Sequence, residues 1–135
     1  DSRQSRGLGD VYKRQAVHAA SLEMFLESRI DQLREKSKRL TAYMEAGIQQ
    51  VAEEVGFRAE LITPSNPERR GCQLSLAAHG FGKSLFEALT EAGVISDWRE
   101  PNVIRMAPVP LYNTFEDIAA FLLIFKECTE ALSKE

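Results

Sequence analysis

The sequence predicts an α+β domain: a long helix followed by a small, mostly antiparallel sheet covered by helices. Three observations predict it. The apolar period is 3.6 as far as residue 54 and 2 in the segments that follow. The strand-like segments are short, with few residues between them. The order of elements reads helix, long helix, then β β α β β α. A chain of 135 residues is one ordinary domain in length, able to bury roughly two thirds of its unfolded surface.

The elements follow in order. Residues 1–15, DSRQSRGLGDVYKRQ, carry a net +2 and leave −5 on residues 16–135. They have no apolar period and no signal-peptide core, and GLGDVYKRQ is similar to translated adaptor read-through. They are expected to be a non-native or disordered leader that buries none of Leu8, Val11 and Tyr12. The opening residue is not Met, so the protein is expected to start upstream. Ala16 to Glu27 reads as a short helix rich in Ala, Leu, Glu and Met.

Ser28 to Glu54 is a long amphipathic helix, with Leu40, Met44, Gly47, Ile48 and Val51 at spacings of three and four, stopped by Gly56. Its Arg34-to-Arg39 charge run is read as a solvated face, since Glu35 and Arg39 stand at i, i+4. Ala59 to Thr63 is a strand ended by the Pro64–Pro67 turn cluster. Cys72, Leu74, Leu76 and Ala78 alternate with polar or small residues and make the clearest half-buried strand, with Cys72 expected on its apolar side. Leu85, Phe86 and Leu89 mark a helix closed by Gly93. Val94–Ile95 is expected to be extended, and Val103–Met106 is a strand bracketed by Pro101, Pro108 and Pro110. Asn113 or Thr114 caps the final helix, with Glu116 or Asp117 completing a capping box.

Several function classes fall away. The mild acidity lacks the basic surplus of a nucleic-acid footprint. The longest apolar run, Ile118 to Phe125, has eight residues against about 20 for a bilayer span. Cys72 and Cys128 are too few and too far apart for a disulfide framework or a zinc site, which favours a reducing compartment. AAHGFGKS at 77–84 has Ala77 where a phosphate-binding loop needs Gly. His18 and His79 have no partner at metal-ligand spacing.

Arg105 stands apart because it lies inside a strand, alternating with Ile104 and Met106. A charge held there needs a carboxylate or phosphate partner, either an acid of the chain or a ligand, and spacing leaves both open. The flanking prolines would fix its place and angle.

GCQLSL (71–76) and LFEALTEAGVISDWREPNVIRMAPVPLYNTFED (85–117) closely resemble the C-terminal part of the kynureninases, and LREKSKRLTAYME (33–45) and ITPSNPERRG (62–71) fit the same family. The resemblance covers essentially all of residues 16–135. It implies a pyridoxal-phosphate enzyme of the aspartate-aminotransferase-like fold type I, a cytoplasmic homodimer that hydrolyses L-kynurenine or its 3-hydroxy form to anthranilate or 3-hydroxyanthranilate and L-alanine, in tryptophan catabolism and NAD biosynthesis. Residues 16–29 would be the last helix of the large domain and 30–135 the small domain. The resemblance makes Arg105 the ligand of the substrate α-carboxylate, with Asn102 as a second substrate-binding candidate from the same motif. It places the Schiff-base lysine and the other cofactor ligands outside this chain, which would then have no catalytic, cofactor or metal residue of its own and be inactive alone. The reading set against it is a free-standing, non-catalytic module that binds an amino acid or a protein.

Overall fold

A computed structural model describes the backbone of residues 2–134 and the side chains of residues 9–134. The chain divides into two compact units, residues 1–34 and 35–135.

In the first unit, α1 spans Ser2–Glu27. The sequence starts this helix at Ala16, and the structure starts it at Ser2. Helix hydrogen bonds are local and need no apolar period, and Arg, Gln, Leu and Lys all support them, although Gly7 and Gly9 each cost about 1 kcal/mol. Val11 and Tyr12 are 49% and 68% exposed. The side chain of Leu8 lies outside the described residues. Leu22, Phe25, Leu26 and Ile30 are also exposed.

The second unit holds most of α2 (Ile30–Val55), then β1 (Glu60–Leu61), β2 (Leu74–Ala77), α3 (Lys83–Glu91), β3 (Asp97–Arg99), β4 (Val103–Met106) and α4 (Phe115–Leu132). The four strands form one sheet in the order β1-β2-β4-β3, with every neighbouring pair antiparallel. Leu40, Met44, Ile48 and Val51 of α2 bury the stripe that the sequence pattern marks out. They meet Leu74 and Leu76 of β2, Leu85 and Leu89 of α3, Ile104 and Met106 of β4, and Ile118, Phe121 and Phe125 of α4 in one core. Each such side chain contributes about 1.5–3 kcal/mol by leaving water. Gly56 and Gly93 take φ of 89° and 90°, the left-handed conformation that ends a helix.

Two expected strands are displaced. Val94 and Ile95 lie outside the sheet: the Val94 N–H donates to Leu89 O at 2.9 Å and so finishes α3, while Ile95 is fully exposed. The edge strand starts two residues later, at Asp97. Cys72 lies outside β2, half-buried. The β2–β4 ladder begins at Leu74↔Met106, and continuing the register would set Cys72 against Pro108, which has no N–H to give.

The loop between β1 and β2 is tied to α2. The side chain of Arg70, 3% exposed, donates from Nη1 to Glu45 Oε2 at 2.5 Å and to Pro64 O at 3.3 Å. A buried guanidinium needs such partners.

Candidate functional site

Antiparallel strands alternate their side chains, so a strand that buries Ile104 and Met106 must turn Val103 and Arg105 to the other side. The register extends that second side across the sheet. One row runs Ser75, Arg105, Asp97, and the row beside it runs Glu60, Ala77, Val103, Arg99. Arg105 therefore sits in an interior strand, on the face opposite the core, with its side chain 32% exposed.

Its partner is Asp97, directly across the β3–β4 ladder. Arg105 Nε donates to Asp97 Oδ2 at 2.7 Å, and Arg105 Nη2 donates to the same oxygen. Arg99 Nε donates to that oxygen as well, at 2.9 Å. Hydrogen bonds from Arg105, aided by its charge and that of Arg99, hold the Asp97 carboxyl below the usual carboxylate range. Among the described residues Arg105 Nη1 has no hydrogen-bond partner, and it is not buried. The requirement that a strand-bound charge be paired is met by an acid of the chain itself.

The sequence reading missed Asp97, because it set the extended segment at Val94–Ile95. The signal was present in Asp97–Trp98–Arg99, one apolar residue between two charged ones. Trp98 pairs with Ile104 on the core side and lies 5.9 Å from the Phe86 ring, and this turns Asp97 and Arg99 to the outer face.

The structure does not bring Asn102 to Arg105. Val103 and Ile104 lie between them, so the separation is three residue steps, about 10 Å of rise. Asn102 caps the end of the sheet: its carbonyl accepts from Ala78 N at 2.8 Å, and its Nδ2 lies 3.4 Å from His79 Nδ1. His79 Nε2 is 2.9 Å from Glu60 Oε2. His79, isolated in sequence, thus has two polar neighbours from two strand ends. His18 is exposed. Among the described residues no group of three or more His, Cys, Asp or Glu side chains is placed to hold a metal. Lys83, the first residue of α3 and part of the segment that resembles a phosphate-binding motif, faces Glu87 one turn on at 3.7 Å.

A pyridoxal phosphate needs a lysine amine free to condense with its aldehyde. Three lysines of the second unit are already engaged within the domain. Lys36 donates to Pro110 O at 2.8 Å, Lys38 to Glu68 at 2.5 Å, and Lys126 to Glu54 at 2.7 Å. The Glu54 carboxylate pushes the Lys126 amine up, away from the neutral form that condensation requires.

The fold and this face define a class: a small α+β domain that presents a fixed arginine from a central antiparallel strand. A family model described as the kynureninase C-terminal domain matches residues 33–125. Kynureninase of Flavobacterium psychrophilum is 50% identical over 112 residues, covering 83% of this chain and 26% of that protein. Kynureninase of Flavobacterium johnsoniae is 51% identical over the same length and coverage, and that of Monosiga brevicollis is 46% identical over 113 residues, 82% of this chain and 25% of that protein. The chain belongs to the kynureninase C-terminal domain family, and it spans about a quarter of the length of the relatives it matches. No helix among the described residues is long and apolar enough to cross a membrane.

Proposed function

We propose that this chain is the substrate-orienting C-terminal part of a pyridoxal-phosphate-dependent hydrolase. The complete enzyme, a cytoplasmic homodimer, adds water across a carbon–carbon bond of L-kynurenine or its 3-hydroxy form. The products are anthranilate (or 3-hydroxyanthranilate) and L-alanine, in tryptophan catabolism and the supply of NAD. Residues 16–29 end its large domain, residues 30–135 form its small one, and residues 1–15 are a non-native or disordered leader. Bound pyridoxal phosphate supplies the electron sink for the chemistry. Lys36, Lys38 and Lys126 are engaged within the domain, and the part assigned to this chain is to hold the substrate.

The observation that carries this reading is Arg105, held in an interior strand with one side of its guanidinium unoccupied. A planar guanidinium can grip both oxygens of an α-carboxylate and so fix an amino acid at one orientation. Asn102, at the end of the same strand, is the second candidate. The Asp97 pair supports the other reading, in which Arg105 serves stability alone.

Kinetics of the complete enzyme separate the two. Arg105→Ala is expected to lower kcat/KM for kynurenine by roughly 10–150-fold, the worth of a charge-assisted hydrogen bond. The inhibition constant of kynurenine α-carboxamide, which lacks the carboxylate charge, should change little. Equal losses on both, together with a lower Tm, would make Arg105 a structural residue.

A further inference from the structure

A guanidinium has two edges that can each grip a carboxylate: the side edge, Nε with Nη2, and the end edge, Nη1 with Nη2. Here the side edge is taken. Arg105 Nε and Nη2 both donate to Asp97 Oδ2, while Nη1 has no partner among the described residues and is not buried. The geometry points to Asp97 as the positioning residue of the carboxylate site, locking the side edge of Arg105 so that its end edge meets the substrate. This inference rests on the reading of Arg105 given above.

Three features favour it. First, the backbone sets the place of Asp97, because Asp97 and Arg105 are directly paired in the ladder and Trp98 anchors the strand from the core side. An arginine loses much rotamer freedom when held, and an acid that holds it beforehand removes that cost from binding. Second, the local charge does not cancel. Arg99 and Arg105 share the one carboxylate of Asp97, and no other acid among the described residues pairs with either. One positive charge is left over, which suits an incoming anion. Third, the two arginines share a single oxygen, so Asp97 does not enclose Arg105 on both edges.

Asp97 does not touch the substrate in this arrangement; it acts through Arg105. The test uses the complete enzyme and the Asp97→Asn variant, which keeps the shape and removes the charge. The expected result is a loss of ~10- to 100-fold in kcat/KM for kynurenine, of the size that misplacing a binding group produces. The inhibition constant of kynurenine α-carboxamide should stay within about twofold, since a loss confined to carboxylate gripping leaves uncharged contacts intact. Asp97→Glu should recover part of the loss, because it restores the charge at a different reach. Where Asp97→Asn does not fold, Asp97→Glu carries the test: a smaller loss that is still selective for kynurenine supports the inference. Tighter kynurenine binding in Asp97→Asn would show Asp97 to be a competitor of the substrate, and would overturn it. So would unchanged kinetics, or equal losses on both compounds. Arg105→Ala run in parallel separates the two levels. If Arg105→Ala is selective and Asp97→Asn is not, only the role of Asp97 fails. If Arg105→Ala is itself unselective, the carboxylate reading fails and this inference with it.

Discussion

Gly47 of α2 and Leu122 of α4 are in a contact that leaves no room for a Cβ: one added at Gly47 would meet both Leu122 methyl carbons and lie 3.0 Å from Leu122 Cγ. The close approach explains a glycine in the middle of a 26-residue helix, where it costs about 1 kcal/mol relative to alanine. It lets the two helices come together over the half-buried Leu122. Gly47→Ala should gain that propensity and lose about 1–3 kcal/mol to overpacking, for a net destabilisation. The sign should reverse in a Leu122→Ala background, where the same substitution gains up to about 1 kcal/mol. Denaturant unfolding of the four-member cycle measures this. A destabilising Gly47→Ala in both backgrounds would show that Leu122 is not the cause.

The start of α4 rests on a reciprocal pair. Thr114 Oγ1 accepts from Asp117 N at 3.1 Å, and Asp117 Oδ2 accepts from Thr114 N at 2.8 Å. Asn113 Nδ2 adds a longer bond to the same carboxylate, at 3.3 Å. Thr114→Ala should cost about 1 kcal/mol, the usual worth of a side-chain N-cap, while Thr114→Ser should cost little. The backbone hydrogen bond from Thr114 is the largest influence drawing the Asp117 carboxyl down, so its contribution is present above the ordinary aspartate range and is lost as pH falls through the lower, folded value. The penalty of Asp117→Asn, which removes the charge and leaves the Thr114 N–H in place, should therefore shrink on acidification when read from Tm.

How much of this was legible depends on whether a feature is local. The apolar stripe of α2, the Gly56 and Gly93 stops, the Val103–Met106 strand and the Thr114 cap are all written within a few residues of one another, and the structure has them there. Gly47 falls on the apolar stripe, although its neighbour Leu122 cannot be read from spacing. Arg105 was conspicuous because a charge inside a strand is costly. Its partner was not, because Asp97 reaches it only through a hairpin whose register depends on where Glu100, Pro101 and Asn102 turn. Asn102 stands close to Arg105 in sequence, but a strand carries its residues apart, and Asn102 lies beside His79. The start of α1 escaped for a third reason, since an exposed helix leaves no periodic trace.

The pH dependence of stability can be predicted from the ion pair that ties α2 to α4. Lys126 Nζ donates to Glu54 Oε2 at 2.7 Å, and Gln50 Nε2 donates to Glu54 Oε1 at 2.8 Å. The hydrogen bond from Lys126, then that from Gln50, draws the Glu54 carboxyl below its ordinary value of 4.5, while the same pair pushes the Lys126 amine above 10.5. The two shifts act at opposite ends of the pH scale. A lowered carboxyl contributes stability above pH 4.5 that is lost as pH falls through the folded value beneath it. A raised amine contributes stability below pH 10.5 that is lost as pH rises through the folded value above it. Glu54→Gln keeps the length of the side chain and removes the charge, so the Tm difference between wild type and variant should form a plateau between those limits and narrow toward both ends. Because both groups are well exposed, the plateau should amount to a few degrees at most and should fall with added salt. A difference that stays constant from acid to alkaline pH would mean that Glu54 acts through packing or through Gln50, and that its charge pair with Lys126 contributes nothing.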